Sequence, residues 1–180
     1  MGEEGAIVEA LKETKRNGVE KLIDYMLEGG FFSCPASSKF HLNVEGGLAI
    51  HTWNVYCEFW DLAQHYKLDI SKDSLAITSL THDLCKMGAY LKNGTGFKWN
   101  KEQPKGHGTL SVKRVKEFIE LDEIEELCIR YHMGPWNSVQ MIGTDKGDYT
   151  LLGMKDAWNK FYPVRFLYFA DELATAGEGR

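Results

Sequence analysis

The stretch Ser71-Lys72-Asp73-Ser74-Leu75-Ala76-Ile77-Thr78-Ser79-Leu80-Thr81-His82-Asp83-Leu84-Cys85-Lys86-Met87 decides how the chain is read. Leu75, Ala76, Leu80, Leu84 and Met87 recur at helical spacing, so an amphipathic helix with one apolar stripe is expected, beginning near Ser71 to Ser74. His82 and Asp83 fall together at its C-terminal end, beside a glycine-containing region. Adjacent residues cannot share one helix face, but at a fraying end both side chains can turn toward a pocket.

Upstream, Leu48, His51, Val55, Phe59 and Leu62 share one stripe of a helix expected from about Leu48 to Tyr66, which puts His51 on the apolar side. Residues 31 to 47 contain Pro35, several serines and Gly46-Gly47 and read as a loop. Before it, Val8 and Leu11, then Val19, Leu22, Ile23, Met26 and Leu27, predict one or two helices broken near Asn17-Gly18. Downstream, Tyr90 to Trp99 places aromatic and β-favouring residues around Asn93-Gly94, a strong hairpin signal. Helical spacing resumes from about Gly108 to Glu120 and from Asp122 to His132. Residues 134 to 155, with several glycines and Pro135, read as irregular. A last helix is expected from Tyr162 or Pro163 to Ala174, with Val164, Leu167, Tyr168, Asp171 and Ala174 on its stripe. The fold class expected is all-α with a small β-hairpin insertion, in a single domain over residues 1–180.

Composition excludes several classes. At 43% hydrophobic and 26% charged residues, the chain can bury a core, which argues against disorder. No apolar stretch approaches the roughly 20 residues that cross a bilayer. The acidic start lacks a basic segment followed by an apolar one, so no export signal and no membrane partner are expected, and a cytoplasmic location follows. The net charge of −5 argues against general nucleic-acid coating, which rests on cationic surface. Cys34, Cys57, Cys85 and Cys128 form no CxxC pair and read as reduced thiols, Cys85 as a small packing residue.

Imidazoles and carboxylates are ligands for Fe, Mn, Co, Ni and Zn. Here His51, His82-Asp83, His107, His132 and Asp171 each arrive on a new element. A buried aspartate needs a cation or donors to offset desolvation, and Asp171 falls on an apolar stripe. Taken singly, each has an ordinary structural explanation; together they form an ordered pattern.

The phrases Gly46-Gly47-Leu48-Ala49-Ile50-His51-Thr52, Leu80-Thr81-His82-Asp83-Leu84-Cys85-Lys86, Gly106-His107-Gly108, Tyr131-His132-Met133-Gly134 and Ala170-Asp171-Glu172-Leu173-Ala174 resemble the HD-domain metal-dependent phosphohydrolase superfamily. The resemblance covers about residues 46 to 175, the metal-binding core, with residues 1–45 supplying N-terminal helices and a loop. It implies an HD-domain helical bundle in which His51, His82, Asp83 and Asp171 hold one metal. In members with two further histidines, matched here by His107 and His132, the doublet aspartate bridges to a second. One or two divalent transition-metal ions are therefore the implied cofactor. The chain has no GYP signature, so the cyclic-dinucleotide specificity of that subgroup does not carry over. The implied activity is hydrolysis of a nucleotide or other phosphate ester by a metal-activated water, with a phosphodiesterase favoured and a small phosphorylated molecule, nucleotide or short oligonucleotide as partner. Two alternatives stand beside it: a di-iron oxygenase with the same ligands, and a non-catalytic metal-bound sensor or interaction module.

Asp83 and Lys86 are the catalytic candidates, Asp83 orienting the water and accepting its proton. Lys86 follows the doublet at the spacing where many family members hold substrate phosphate; a solvated lysine at a helix C-terminus is the plainer reading. Residues 86 to 105 carry five lysines against Glu102 alone, with Tyr90, Phe97 and Trp99 interleaved. Lys92 and Lys98 in this stretch are candidate substrate contacts that could funnel an anion inward; an ordinary polar hairpin is an equal reading. The six acids between Glu117 and Glu126 read as solvated helix faces, and Trp53, Trp60, Trp136 and Trp158 as core or interface. Asn137 and Arg165 are candidates for lining the pocket. His41 and His65 fall outside the ligand pattern and receive no role.

Overall fold

The computed structural model describes residues 2–39, 41–104, 106–135 and 151–178. They form eight α-helices: α1 (Glu3–Glu13), α2 (Val19–Glu28), α3 (Gly47–Tyr66), α4 (Lys72–Thr81), α5 (His107–Val115), α6 (Glu123–Tyr131), α7 (Leu151–Lys160) and α8 (Tyr162–Gly177). Strands β1 (Tyr90–Asn93) and β2 (Gly96–Trp99) make one antiparallel hairpin between α4 and α5. Among the described residues, no helix is long and apolar enough to cross a membrane.

Two apolar clusters organise the helices. The first takes Ile7 and Leu11 of α1, Leu22, Ile23 and Met26 of α2, Leu48 and Ala49 of α3, Ile77 and Leu80 of α4, and Val112 and Val115 of α5. The second takes Val55, Phe59 and Ala63 of α3, Met154 and Ala157 of α7, and Val164, Leu167 and Ala170 of α8. Along α3 the passage from one cluster to the other falls between Ala49 and Val55, and His51 lies in that interval.

Local chemistry sets the element ends. Gly18 separates α1 from α2 with φ at +87°, and a Cβ there would lie 1.9 Å from the Phe118 carbonyl oxygen, so only glycine fits. The Ser71 hydroxyl caps α4 by accepting from the Ser74 amide at 3.0 Å. Asp122 and Glu125 form a reciprocal capping box on α6.

Several boundaries differ from the sequence expectation. Helix α4 stops at Thr81, so Leu84 and Met87 do not continue its stripe; a 3₁₀ turn (Leu84–Lys86) follows. In the last turns of α4 the Ser79 and Thr81 hydroxyls bond back to the Leu75 and Ile77 carbonyls at 2.6 Å each, a competition typical of such residues in helices. Helix α5 ends at Val115 rather than near Glu120, through a turn in which Phe118 N donates to Val115 O. Residues 151–155, expected to be irregular, belong to α7. Burial of Met154 and Ala157 in the second cluster offsets the roughly 1 kcal/mol that Gly153 costs a helix. The hairpin closes through Gly94-Thr95, with Asn93 paired to Gly96, one residue later than the Asn93-Gly94 signal implied. The acidic run is not simply solvated: Glu125 has a fully buried side chain, held by Arg16 through Nη2–Oε1 at 2.5 Å and Nη1–Oε2 at 3.0 Å. Trp53 packs on the first cluster and Trp60 and Trp158 on the second, while Trp136 lies outside the described residues.

Candidate metal centre

Five elements deliver side chains to the junction between the two clusters. His51 comes from the second turn of α3, His82 and Asp83 from the end of α4, His107 from the start of α5, His132 from the end of α6, and Asp171 from the middle of α8. The folding logic is local. The early stop of α4 leaves the Ser79 carbonyl free of a helical partner, and His82 Nδ1 takes it at 2.7 Å. His132 repeats this at the end of α6, with Nδ1 2.6 Å from Ile129 O. Gly108 lets α5 approach α6 closely, since a Cβ there would lie 2.2 Å from Arg130 O. The 3₁₀ turn is clamped from α5: Ser111 Oγ accepts from Cys85 N at 3.1 Å, and Arg114 Nη1 donates to Leu84 O at 3.0 Å and Met87 O at 3.1 Å.

Asp83 is the hub, and its two oxygens have different neighbours. Oδ2 lies 3.4 Å from His82 Nε2, 3.8 Å from His51 Nε2 and 2.6 Å from Lys86 Nζ. Oδ1 lies 2.5 Å from His107 Nε2 and 3.5 Å from His132 Nε2. Asp171 Oδ1 approaches His51 Nε2 at 3.1 Å. Among the described residues the candidate ligand atoms fall into four overlapping groups, each within 4.8 Å: His51, His82 and Asp171; His82, Asp83 and His132; Asp83, Cys85 and His107; and, behind His51, His41, His51 and Glu178. These groups can hold a metal ion.

The hydrogen bonds behind the rings decide which nitrogen faces inward. A carbonyl only accepts, so in His82 and His132 Nδ1 carries the proton and a neutral ring keeps its lone pair on Nε2. Both Nε2 atoms are buried without a hydrogen bond, their nearest acceptor being Asp83 at 3.4 and 3.5 Å. A buried acceptor left unpaired is costly, and a cation between these nitrogens and Asp83 would satisfy both. In His51, Nδ1 faces the Glu178 carboxylate and Nε2 the centre. In His107, Nδ1 lies 3.2 Å from Cys85 Sγ. All four rings are thus backed at Nδ1 and aimed through Nε2, the arrangement that orients histidine ligands.

Electrostatics follow the geometry. Burial works to raise the Asp83 carboxyl, but Lys86, His82 and His107 outweigh it and hold it well below the usual carboxylate range. Burial likewise opposes ionised Asp171, and His51 overrides it, lowering its pKa. Burial opposes a charged His51, yet its bonds to Asp171 and Glu178 bring it up to about 9. His107 reaches about 10 because Cys85 and Asp83 outweigh desolvation. His132 is lowered, burial dominating. Protons favoured on His51 and His107 and the Lys86 cation thus balance the charge of the buried carboxylates.

Lys86 is buried against Asp83, not solvated. Burial disfavours its charge and Asp83 more than restores it, raising its pKa. Lys92 and Lys98 do not form one cationic surface. The register pairs Lys92 with Phe97 and Lys98 with Leu91, placing the two lysines on opposite faces of the ribbon. Both are exposed, and Lys92 pairs with Glu45 at 3.3 Å. Lys105 and Asn137 lie outside the described residues. Arg165 stacks over the Trp158 and Phe169 rings, 5.3 Å from each centroid.

Three neighbours of the centre escape the sequence pattern. Cys85 touches His107 and is more than packing. His41, from the loop before α3, packs against His51 with ring centroids 4.9 Å apart and the ring planes tilted by 45°. Glu178 reaches His51 because α8 runs three residues beyond the expected end at Ala174. The signal for Glu178 was its spacing of seven from Asp171, two helical turns.

Comparison with protein families, curated proteins and solved structures finds no match.

Proposed function

We propose that the chain is a metal-dependent phosphohydrolase of the HD type, acting on a nucleotide or other phosphate ester, with a phosphodiester favoured. The observation that carries this reading is the convergence of four imidazole Nε2 atoms on the two oxygens of one buried carboxylate, each ring held from behind. His51, His82, Asp171 and Asp83 Oδ2 would hold one ion; His107, His132 and Asp83 Oδ1 would hold a second. Ions there would lower the pKa of a water toward neutrality and draw charge from a phosphoryl oxygen.

The chain's own groups complete the chemistry. Asp83, fixed at the α4 terminus between the two sets of imidazoles, orients the water. Lys86, freed from part of its attraction to Asp83 once cations share that carboxylate, directs its ammonium at a phosphoryl oxygen. The low exposure of His82, Asp83 and His132 keeps bulk water from competing and strengthens each charge interaction.

The test is elemental analysis of purified protein together with a nucleotide and phosphodiester hydrolysis screen. Bound Fe, Mn, Co, Ni or Zn at up to two per chain and metal-dependent release of phosphate or nucleotide are expected. His82→Ala and Asp83→Ala should strip metal and abolish turnover, and His107→Ala should lose about one equivalent. Wild-type metal content in Asp83→Ala would refute the assignment.

A further inference from the structure

A buried acid touches the centre from behind. Glu178 lies at the C-cap of α8 with its side chain 3% exposed. Both of its oxygens stand 3.1 Å from His51 Nδ1, and Asn54 Nδ2 donates to Oε1 at 3.0 Å. Asn54 is one turn beyond His51 on α3, so the same helix supplies the ring and the amide that fixes the acid. Helix α8 grips the ring at both ends: Asp171 Oδ1 faces Nε2 at 3.1 Å, and two turns later Glu178 covers Nδ1. His41 closes the outer side, its Nε2 3.7 Å from Glu178 Oε2.

The backing of His51 differs in kind from that of its neighbours. His82 and His132 donate Nδ1–H to neutral backbone carbonyls. His51 donates to a carboxylate, which fixes the ring plane and makes Nε2 a stronger electron donor. Glu178 is itself held low: burial favours its neutral form, but the bond from His51 outweighs that.

We infer that Glu178, steadied by Asn54, is a positioning residue that holds His51 in its Nδ1–H form and strengthens Nε2 as a metal ligand, making the ion at His51, His82 and Asp171 the more tightly held. This rests on the metal-centre reading above. In this role Glu178 acts through His51 rather than as a ligand itself.

The test uses the full chain with zinc as the probe metal. Wild type, Glu178→Gln and Glu178→Ala are loaded, titrated with a chelator, and followed by proton–nitrogen NMR of the imidazoles. Glu178→Ala should lose one zinc about tenfold to a hundredfold more readily while the other is unchanged, and the protected Nδ1–H signal of His51 should disappear. Glu178→Gln, which keeps an oxygen acceptor without the charge, should retain that signal and lose less affinity. A merely structural role would lower the melting temperature without changing which nitrogen bears the proton. Retention of both zincs and of the His51 signal in Glu178→Ala would overturn the inference. If wild type takes up no zinc, the metal-centre reading fails, and the Nδ1–H signal in metal-free protein still decides the role of Glu178. If Glu178→Ala does not fold, the wild-type spectrum decides: a His51 lacking a protected Nδ1–H overturns the inference.

Discussion

Asp83 serves five cationic or imidazole neighbours with two oxygens, and the division between Oδ1 and Oδ2 gives the centre two halves. Lys86 belongs to this division because it neutralises the Oδ2 side without contributing a ligand lone pair. Lys86→Ala should therefore retain metal while kcat/KM falls about 10- to 100-fold, the size of one charge-assisted hydrogen bond to phosphate. Steady-state kinetics beside elemental analysis checks this, and loss of metal would assign Lys86 to holding the centre together instead. At this scale the candidate ligands were legible, since the order of His51, His82, Asp83, His107, His132 and Asp171 is written in the chain. Their acceptors at Nδ1 were not, because Ser79 O and Ile129 O are backbone atoms that every residue carries.

Among the elements, α5 does the most for the centre. It carries His107, clamps the 3₁₀ turn through Ser111 and Arg114, and approaches α6 at Gly108. Gly108→Ala would push a methyl group into the Arg130 carbonyl. A loss of about 1–3 kcal/mol in urea unfolding is expected, with weaker metal binding as His107 and His132 separate. Helix α6 is anchored at its other end by Arg16 and Glu125. Arg16→Ala leaves a buried carboxylate without its cation and should cost about 3 kcal/mol, the low end for such a break because Arg16 is 28% exposed; equal unfolding midpoints would show that the pair is compensated. Helices with a strong apolar stripe were readable from periodicity. Helix α7 was not, because its burial is carried by Met154 and Ala157 against α8, a contact that no local window contains.

Over the whole molecule, the polar centre sits where two apolar clusters meet, so its charge state feeds into global stability. In metal-free protein, burial and the neighbouring His51 keep His41 neutral down to about 4 against 6.5 when unfolded, so stability should rise as pH goes from 4 to 6.5. The raised values of His51, about 9, and His107, about 10, act oppositely: their contribution is complete below 6.5 and fades as pH climbs through the folded values. Thermal unfolding of chelator-treated protein should therefore peak near pH 6.5. Added metal should shift the peak upward, because ions displace the ring protons and bind better as pH rises. A metal-free curve flat from pH 6.5 to 9 would show that His51 and His107 are not held protonated. Periodicity, turn residues and side-chain chemistry are properties of short segments, so the helical class, the hairpin and the six ordered candidate ligands could be read along the chain. Which atoms meet is a matter of packing: the split of Asp83 between two sets of imidazoles, the separation of Lys92 from Lys98, and the approach of Glu178 to His51. Those depend on where helices stop and how closely they pack, and both follow from contacts between residues far apart in the chain.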